Sequence, residues 1–163
     1  MGRVPTTHIL DRRHVLGALG AFAAAPAIAA CPPARVLFVC QFGTVKSPFA
    51  RELLRRRARE RGLAVSVSAR GLTPADHATT AFLASARADG VDPRAEQVRR
   101  LEPRDLAQAD VVVSFEPPQP AGLPGARDWS DTPSFGDYPA ARRNVLARIE
   151  ALLDEIARRP CRS

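Results

Sequence analysis

An unbroken apolar run, Ala34 to Cys40 (ARVLFVC), ends in a thiol and passes through five residues into Lys46-Ser47-Pro48, which reads as a helix start. Apolar, β-branched residues without alternation mark a strand covered on both faces. Such a strand needs helices above and below it, so this one segment restricts the chain to a layered α/β fold. The remaining pattern agrees. Ser47 is suited to cap a helix over Ser47–Arg61, Pro48 fits its first turn, and Ala50, Leu53, Leu54 and Ala58 make one apolar stripe that Gly62 ends. Val65 and Val67 alternate with serines in a second strand ending near Ala69, and Asp76–Asp89 predicts a helix closed by Gly90. A shorter helix, Glu102–Ala109, runs into a strand over Val111–Phe115. Pro117, Pro118, Pro120 and Pro124 mark a loop, and Ala126–Trp129 predicts a short last strand. Val145, Leu146, Ile149, Leu152, Leu153 and Ile156 then recur with the period of an amphipathic helix. Strands alternating with helices predict four parallel strands with helices on both faces, and ligands of such sheets bind beyond the carboxyl ends of the strands. Cys40 is the last residue of the first strand.

The first thirty residues read differently. A basic stretch with adjacent Arg12 and Arg13 precedes an Ala-rich apolar run, Val15 to Ala30, that ends in small residues. This is the pattern of an export signal of the twin-arginine type, and the run is too short and too interrupted by Pro26 to span a membrane. The expected organisation is therefore a signal peptide, 1–30, and one domain, 31–163. Two processing outcomes are open: cleavage after Ala27-Ile28-Ala29, or a lipobox-like Ile28-Ala29-Ala30-Cys31 that would lipidate Cys31 and hold the protein at a membrane surface. Either places it outside the cytoplasm, in the periplasm.

The net charge is +7. The leader, with three arginines against one aspartate, carries +2, so the domain carries +5. Arg55, Arg56, Arg57, Arg59 and Arg61 supply much of it, but no aromatic residues interleave and Glu52 and Glu60 flank the run. A solvated helix face fits better than a nucleic-acid surface, and no nucleic-acid partner is expected. Cys31, Cys40 and Cys161 lie at neither metal-ligand nor Cys-x-x-Cys spacing, so no metal or cofactor is expected. Cys31 and Cys161 sit at the two ends of the domain and can pair, leaving Cys40 free.

The loop Gln41, Phe42, Gly43, Thr44 and Val45, between a strand end and a helix N-terminus, can turn several backbone N–H groups inward as a nest for a tetrahedral anion. The same field stabilises a thiolate. Gly43 permits a positive φ, Lys46 sets a cation at the end of the loop, and the Ser47 hydroxyl can hydrogen-bond the sulfur. A thiolate beneath a bound phosphate stands in line for attack on phosphorus.

Strand, Cys, five residues, a cation, Ser, Pro and helix together resemble the signature of the low-molecular-weight protein tyrosine phosphatase family, whose fold also hosts arsenate reductases. "SVSARGLTP", "FLASARADGVDPRAEQVRRLEPRDLAQADVVVSFE" and "DWSDTPSFGDY" are similar, in order, to that family's segments after its second strand, around its third strand and after its fourth. The resemblance covers nearly all of the domain. It implies a three-layer fold with sheet order 2-1-3-4, a phosphocysteine at Cys40 with Ser47 as thiolate partner, and Asp131 as general acid, with Asp128 and Asp137 as rivals. It also implies a cleft walled by Phe135 and Tyr138. A monomer acting on a phosphate ester or another tetrahedral oxyanion is expected.

The sequence departs from that family inside the loop. The family has Arg where Lys46 stands, Gly where Phe42 stands and Asn where Gly43 stands, and Thr132 separates Asp131 from Pro133. Ammonium lacks the two-pronged grip of guanidinium on phosphoryl oxygens, a change costing roughly one to two factors of ten in rate. The alternatives are an exported oxyanion-binding protein without turnover, and arsenate reduction, whose relay needs further cysteines that are absent between Cys40 and Cys161. Lys46-Ser47 resembles a nucleotide-binding Gly-Lys-Ser end, but Val45 stands directly before the Lys where that motif needs Gly. The loop is also similar to that of the phosphocysteine domains of the sugar phosphotransferase system, against which the export signal argues. His77 reads as a surface residue.

Overall fold

The computed structural model of the protein describes Gly2, residues 31–116, Leu123 and residues 125–160. The signal-peptide and lipobox expectations, the proline loop at 117–124 apart from Leu123, and Cys161 lie outside them. Four parallel strands, β1 (Ala34–Cys40), β2 (Val65–Gly71), β3 (Val111–Ser114) and β4 (Arg127–Asp128), form one sheet in the order β2-β1-β3-β4. Strand β1 is central, and from Val36 to Cys40 every residue is buried, as expected of a strand covered on both faces. Its register sets Cys40 opposite Gly71 of β2 and Val39 opposite Ser114 of β3. The carboxyl ends of three strands thus meet at one edge.

Helix α1 (Lys46–Glu60) lies against β1 and β2 and buries Phe49, Ala50, Leu53, Leu54 and Ala58. It ends in a glycine-closed turn: Gly62 has φ +65°, and the Leu63 N–H returns to the Ala58 carbonyl at 2.9 Å. Helices α2 (Thr80–Ala88) and α3 (Pro103–Gln108) follow, and the long α4 (Tyr138–Ala157) covers α1 with Val145, Ile149, Leu152, Leu153 and Ile156 buried. The core holds two aromatic groups. Phe38, Phe115 and Trp129 pack under β1, β3 and β4; Phe49, Phe82, Phe135 and Tyr138 pack edge to face between the helices.

Three local expectations change. Ser47 does not cap α1; the cap position is Val45, without a side-chain bond, because the Ser47 hydroxyl is turned to the Cys40 sulfur and the Arg70 carbonyl. Helix α2 starts at Thr80 rather than Asp76, capped by the Thr79 hydroxyl, since the preceding residues are tied to the Cys40 loop. The arginine face of α1 is paired rather than merely solvated: Arg55 with Glu52 and Glu96, Arg56 and Arg57 with Glu60, Arg57 also with Glu150, and Arg61 with Glu150 and Asp154. Arg51, 2 % exposed, is held by Glu52, Glu96 and the Pro93 carbonyl. No described helix is long and apolar enough to cross a membrane.

Candidate active site

The chain beyond β1 is fixed by its neighbours on β2. Gly43 has φ +70°, a region that only glycine enters without strain. A Cβ there would lie 2.9 Å from the Gly71 nitrogen and 2.9 Å from Val98 Cγ1. The reverse holds at Gly71, where a Cβ would meet the Phe42 carbonyl at 2.9 Å. Two glycines therefore allow the loop to lie directly on the end of β2. The segment after β2 then runs beside it: Leu72 N–H to Cys40 O at 3.1 Å, Thr73 N–H to Gln41 O at 2.8 Å, and Ala75 N–H to Phe42 O at 3.3 Å. Thr44 closes the contact, its hydroxyl donating to the Ala75 carbonyl and accepting the His77 N–H. These bonds brace the loop without an Asn side chain inside it.

Cys40 is a free thiol, 4 % exposed, at the floor of a cleft of about 620 Å³. Its sulfur lies 3.1 Å from Ser47 Oγ and accepts the Gly43 N–H at 3.3 Å. Ser47 has a single hydroxyl proton and two acceptors, the sulfur and the Arg70 carbonyl at 3.2 Å. With a thiol, the S–H donates to Ser47; with a thiolate, the hydroxyl turns to the sulfur. The Phe42, Thr44 and Val45 N–H groups find no acceptor among the described residues. Lys46 reaches the Phe115 carbonyl at 3.4 Å, just past β3. Donors, cation and sulfur thus share one cleft, with Phe42 and His77 stacked on its rim (ring centroids 3.8 Å apart) and Phe82 and Phe135 in its wall.

The other expected residues are placed less uniformly. Cys40, Gln41, Phe42, Thr44, Val45, Lys46 and Phe135 line the cleft, and Gly43 and Ser47 act through the sulfur. Tyr138 is not on the lining. Its ring packs behind Phe135, and burial together with the bond it donates to Asp89 at 2.7 Å raises its phenol above the ordinary range. Asp131 is also absent from the lining: both carboxylate oxygens accept from Arg148 of α4, at 2.7 and 2.8 Å, and that guanidinium lies over Trp129. Asp128 accepts the Ser130 hydroxyl and N–H, which hold its carboxyl below the usual range, and Asp137 caps α4. What the loop after β4 contributes instead is Thr132, Ser134 and Gly136. The one carboxylate on the lining among the described residues is Glu116, whose Oε1 accepts the Gln41 N–H at 3.0 Å and lies 3.9 Å from Lys46 Nζ. Its signal in the sequence was its place, one charged residue directly past a buried strand at the ligand-binding edge. No described cluster of His, Cys, Asp and Glu could hold a metal ion.

Comparison with known proteins bears on this arrangement. Residues 35–155 match the family described as low molecular weight phosphotyrosine protein phosphatase. No curated protein matches the sequence. Among solved structures, a low molecular weight protein tyrosine phosphatase from T. tengcongensis superposes with a TM-score of 0.57 at 20 % identity, over 75 % of this chain and 99 % of that one. An arsenate reductase in its phosphate-binding state gives 0.61 at 21 % identity, over 76 % and 98 %. Wzb from Vibrio vulnificus, in complex with benzylphosphonate, gives 0.60 at 16 % identity, over 75 % and 98 %. At these identities the likeness is one of fold.

Proposed function

The chain belongs to the low molecular weight phosphotyrosine protein phosphatase family, and we propose that it hydrolyses aryl phosphomonoesters through a phosphocysteine at Cys40. The observation that carries the reading is a buried sulfur, bonded by the Ser47 hydroxyl and the Gly43 N–H, that shares one cleft with Lys46. A phosphoryl group seated over the sulfur would meet the ammonium and could take up the loop N–H groups that have no acceptor among the described residues, donors that stabilise the charge of phosphoryl transfer. Attack by the thiolate forms the S–P bond and expels the ester oxygen; water then cleaves S–P and releases phosphate. Phe42, Phe82 and Phe135 suit an aryl group at the rim. An aryl oxide is a good leaving group, which suits a lining with no aspartate. Lys46 in place of a guanidinium makes turnover slow.

Oxyanion binding without turnover is the second reading, favoured by the Asp131–Arg148 pair, which occupies the expected proton donor away from the cleft lining. Arsenate reduction has less support. Cys31 is held in a disulfide and lies beyond the opposite end of β1, whose seven residues span about 20 Å, so it is no resolving thiol for Cys40. Turnover of an aryl phosphate by the wild type, Cys40→Ser and Lys46→Arg separates these readings. A phosphatase loses activity in the first variant and gains several-fold in the second. A binding protein turns over in none and still retains phosphate, and arsenate-dependent thiol oxidation would establish the reductase. We also infer export to an oxidising compartment without lipidation, since the disulfide occupies the sulfur a lipid would need. Mass spectrometry of the mature N-terminus tests it.

A further inference from the structure

We propose that Glu116 is a resident anion of the Cys40 cleft and selects the charge of the oxyanion that enters, favouring one net negative charge, such as a singly protonated phosphomonoester, over two. The inference rests on the oxyanion-binding reading of the loop. Glu116 holds the two groups that a ligand above Cys40 most needs: the N–H of Gln41, first residue of the loop, at 3.0 Å, and the ammonium of Lys46, at 3.9 Å. Its backbone is fixed there, its N–H donating to Ser114 Oγ at 3.1 Å while that hydroxyl donates to the Glu116 carbonyl at 2.9 Å. The side chain is only 22 % exposed, so its charge is incompletely screened.

The titratable and charged groups facing the same cleft are Cys40, Lys46 and His77. With a Cys40 thiolate, the thiolate and the Glu116 carboxylate together outweigh the single ammonium. An arriving oxyanion must displace Glu116 from Gln41 and Lys46, and it then sits beside the displaced carboxylate. Coulomb repulsion scales with the product of the charges, so a doubly charged ligand is opposed about twice as strongly as a singly charged one. A guanidinium could grip carboxylate and phosphoryl oxygens together; the Lys46 ammonium has no such fork. The substitution at Lys46 and the carboxylate at Glu116 therefore act in the same direction.

The test uses two inorganic oxyanions at neutral pH: vanadate, chiefly singly charged, and tungstate, doubly charged. Affinity is read as protection of Cys40 from iodoacetamide, a neutral reagent, in the full domain with the Cys31 disulfide intact. Glu116→Gln keeps an acceptor for the Gln41 N–H and removes the charge; it should tighten vanadate about tenfold and tungstate about a hundredfold. Glu116→Ala should show the same selective gain, and it serves if thermal melting shows the Gln variant unfolded. Asp154→Asn, an equal change of net charge on α4, should move neither ion more than about twofold. Equal gains for the two ions, or none while protection persists, would overturn the role of Glu116 and leave the oxyanion cup standing. Failure of both ions to protect Cys40 in every variant would overturn the cup itself, and this inference with it.

Discussion

The two loops that border the cleft are built on different terms. The Cys40–Lys46 loop lies on β2 through Gly43 and Gly71, is hydrogen-bonded along residues 72–77, and directs its functional groups to one point. The Trp129–Asp137 loop lends the cleft Thr132, Ser134, Phe135 and Gly136, while its two carboxylates, Asp131 and Asp137, serve Arg148 and the start of α4, and Asp128 before it serves Ser130. One loop is braced so that its donors, cation and sulfur border a single cleft; the other ties its carboxylates to its own neighbours. In a thiol-based phosphatase these loops supply nucleophile and proton donor, so the contrast predicts strong chemistry on one side of phosphorus and weak chemistry on the other.

The contrast can be broken by substitution. Cys40→Ser should abolish aryl phosphate turnover, by a factor of about 10³ or more, since the alcohol is a far poorer nucleophile; residual turnover within tenfold of wild type would move the chemistry elsewhere. Gly43→Ala should destabilise the domain by about 2–3 kcal/mol, combining a positive φ with contacts at 2.9 Å to Gly71 and Val98, and should weaken oxyanion retention more than it lowers the melting temperature suggests. A neutral outcome in both measurements would mean the loop is not held by that close approach.

The same contrast can be sharpened with milder changes. Asp105 anchors Arg70, whose carbonyl shares the Ser47 hydroxyl, through a bond of 2.8 Å, and it also accepts the Glu102 N–H. Burial works against its ionisation, but these bonds outweigh it and hold the carboxyl below its usual range. Because the folded state favours the ionised form, this contribution is complete above the ordinary carboxylate range and is lost as pH falls through the lowered folded value. Asp105→Asn should cost about 1–2 kcal/mol near neutral pH, and the gap to wild type should close in acid denaturation curves. A gap constant with pH would remove the charge from the account. Asp131→Asn should have the smallest effect, within about threefold in turnover, because its carboxylate is exposed, is paired with Arg148 and is absent from the cleft lining. A loss of a hundredfold would show that the loop swings its carboxylate inward.

How far the sequence disclosed this arrangement follows the same division. The strand bounds of β1, the parallel sheet and the approach of Cys40, Lys46 and Ser47 rest on contiguous residues whose local chemistry agrees with the fold, and they were legible. The start of α2 was not, because Asp76 and His77 look helical in isolation while the backbones of Ala75 and His77 belong to the brace on the Cys40 loop. Ser47 at a helix start resembles a cap, and only the nearby sulfur and Arg70 carbonyl show why it does not act as one. Asp131 depended on a spacing of one residue. With Thr132 inserted before Pro133, it is Thr132 that reaches the cleft. Glu116 had a weak signal in its place just past β3, but its contacts with Gln41 and Lys46 needed the tertiary structure, since those partners lie 75 and 70 residues away in the chain.

The central claim is that the Cys40 sulfur forms a bond to phosphorus during turnover. Acid quenching of the enzyme while it consumes an aryl phosphate, followed by mass spectrometry of the Cys40 peptide, reads that bond directly. A phosphoryl group on Cys40 that disappears once substrate is exhausted is the predicted result; steady turnover with an unmodified Cys40 peptide at every quench time would contradict it.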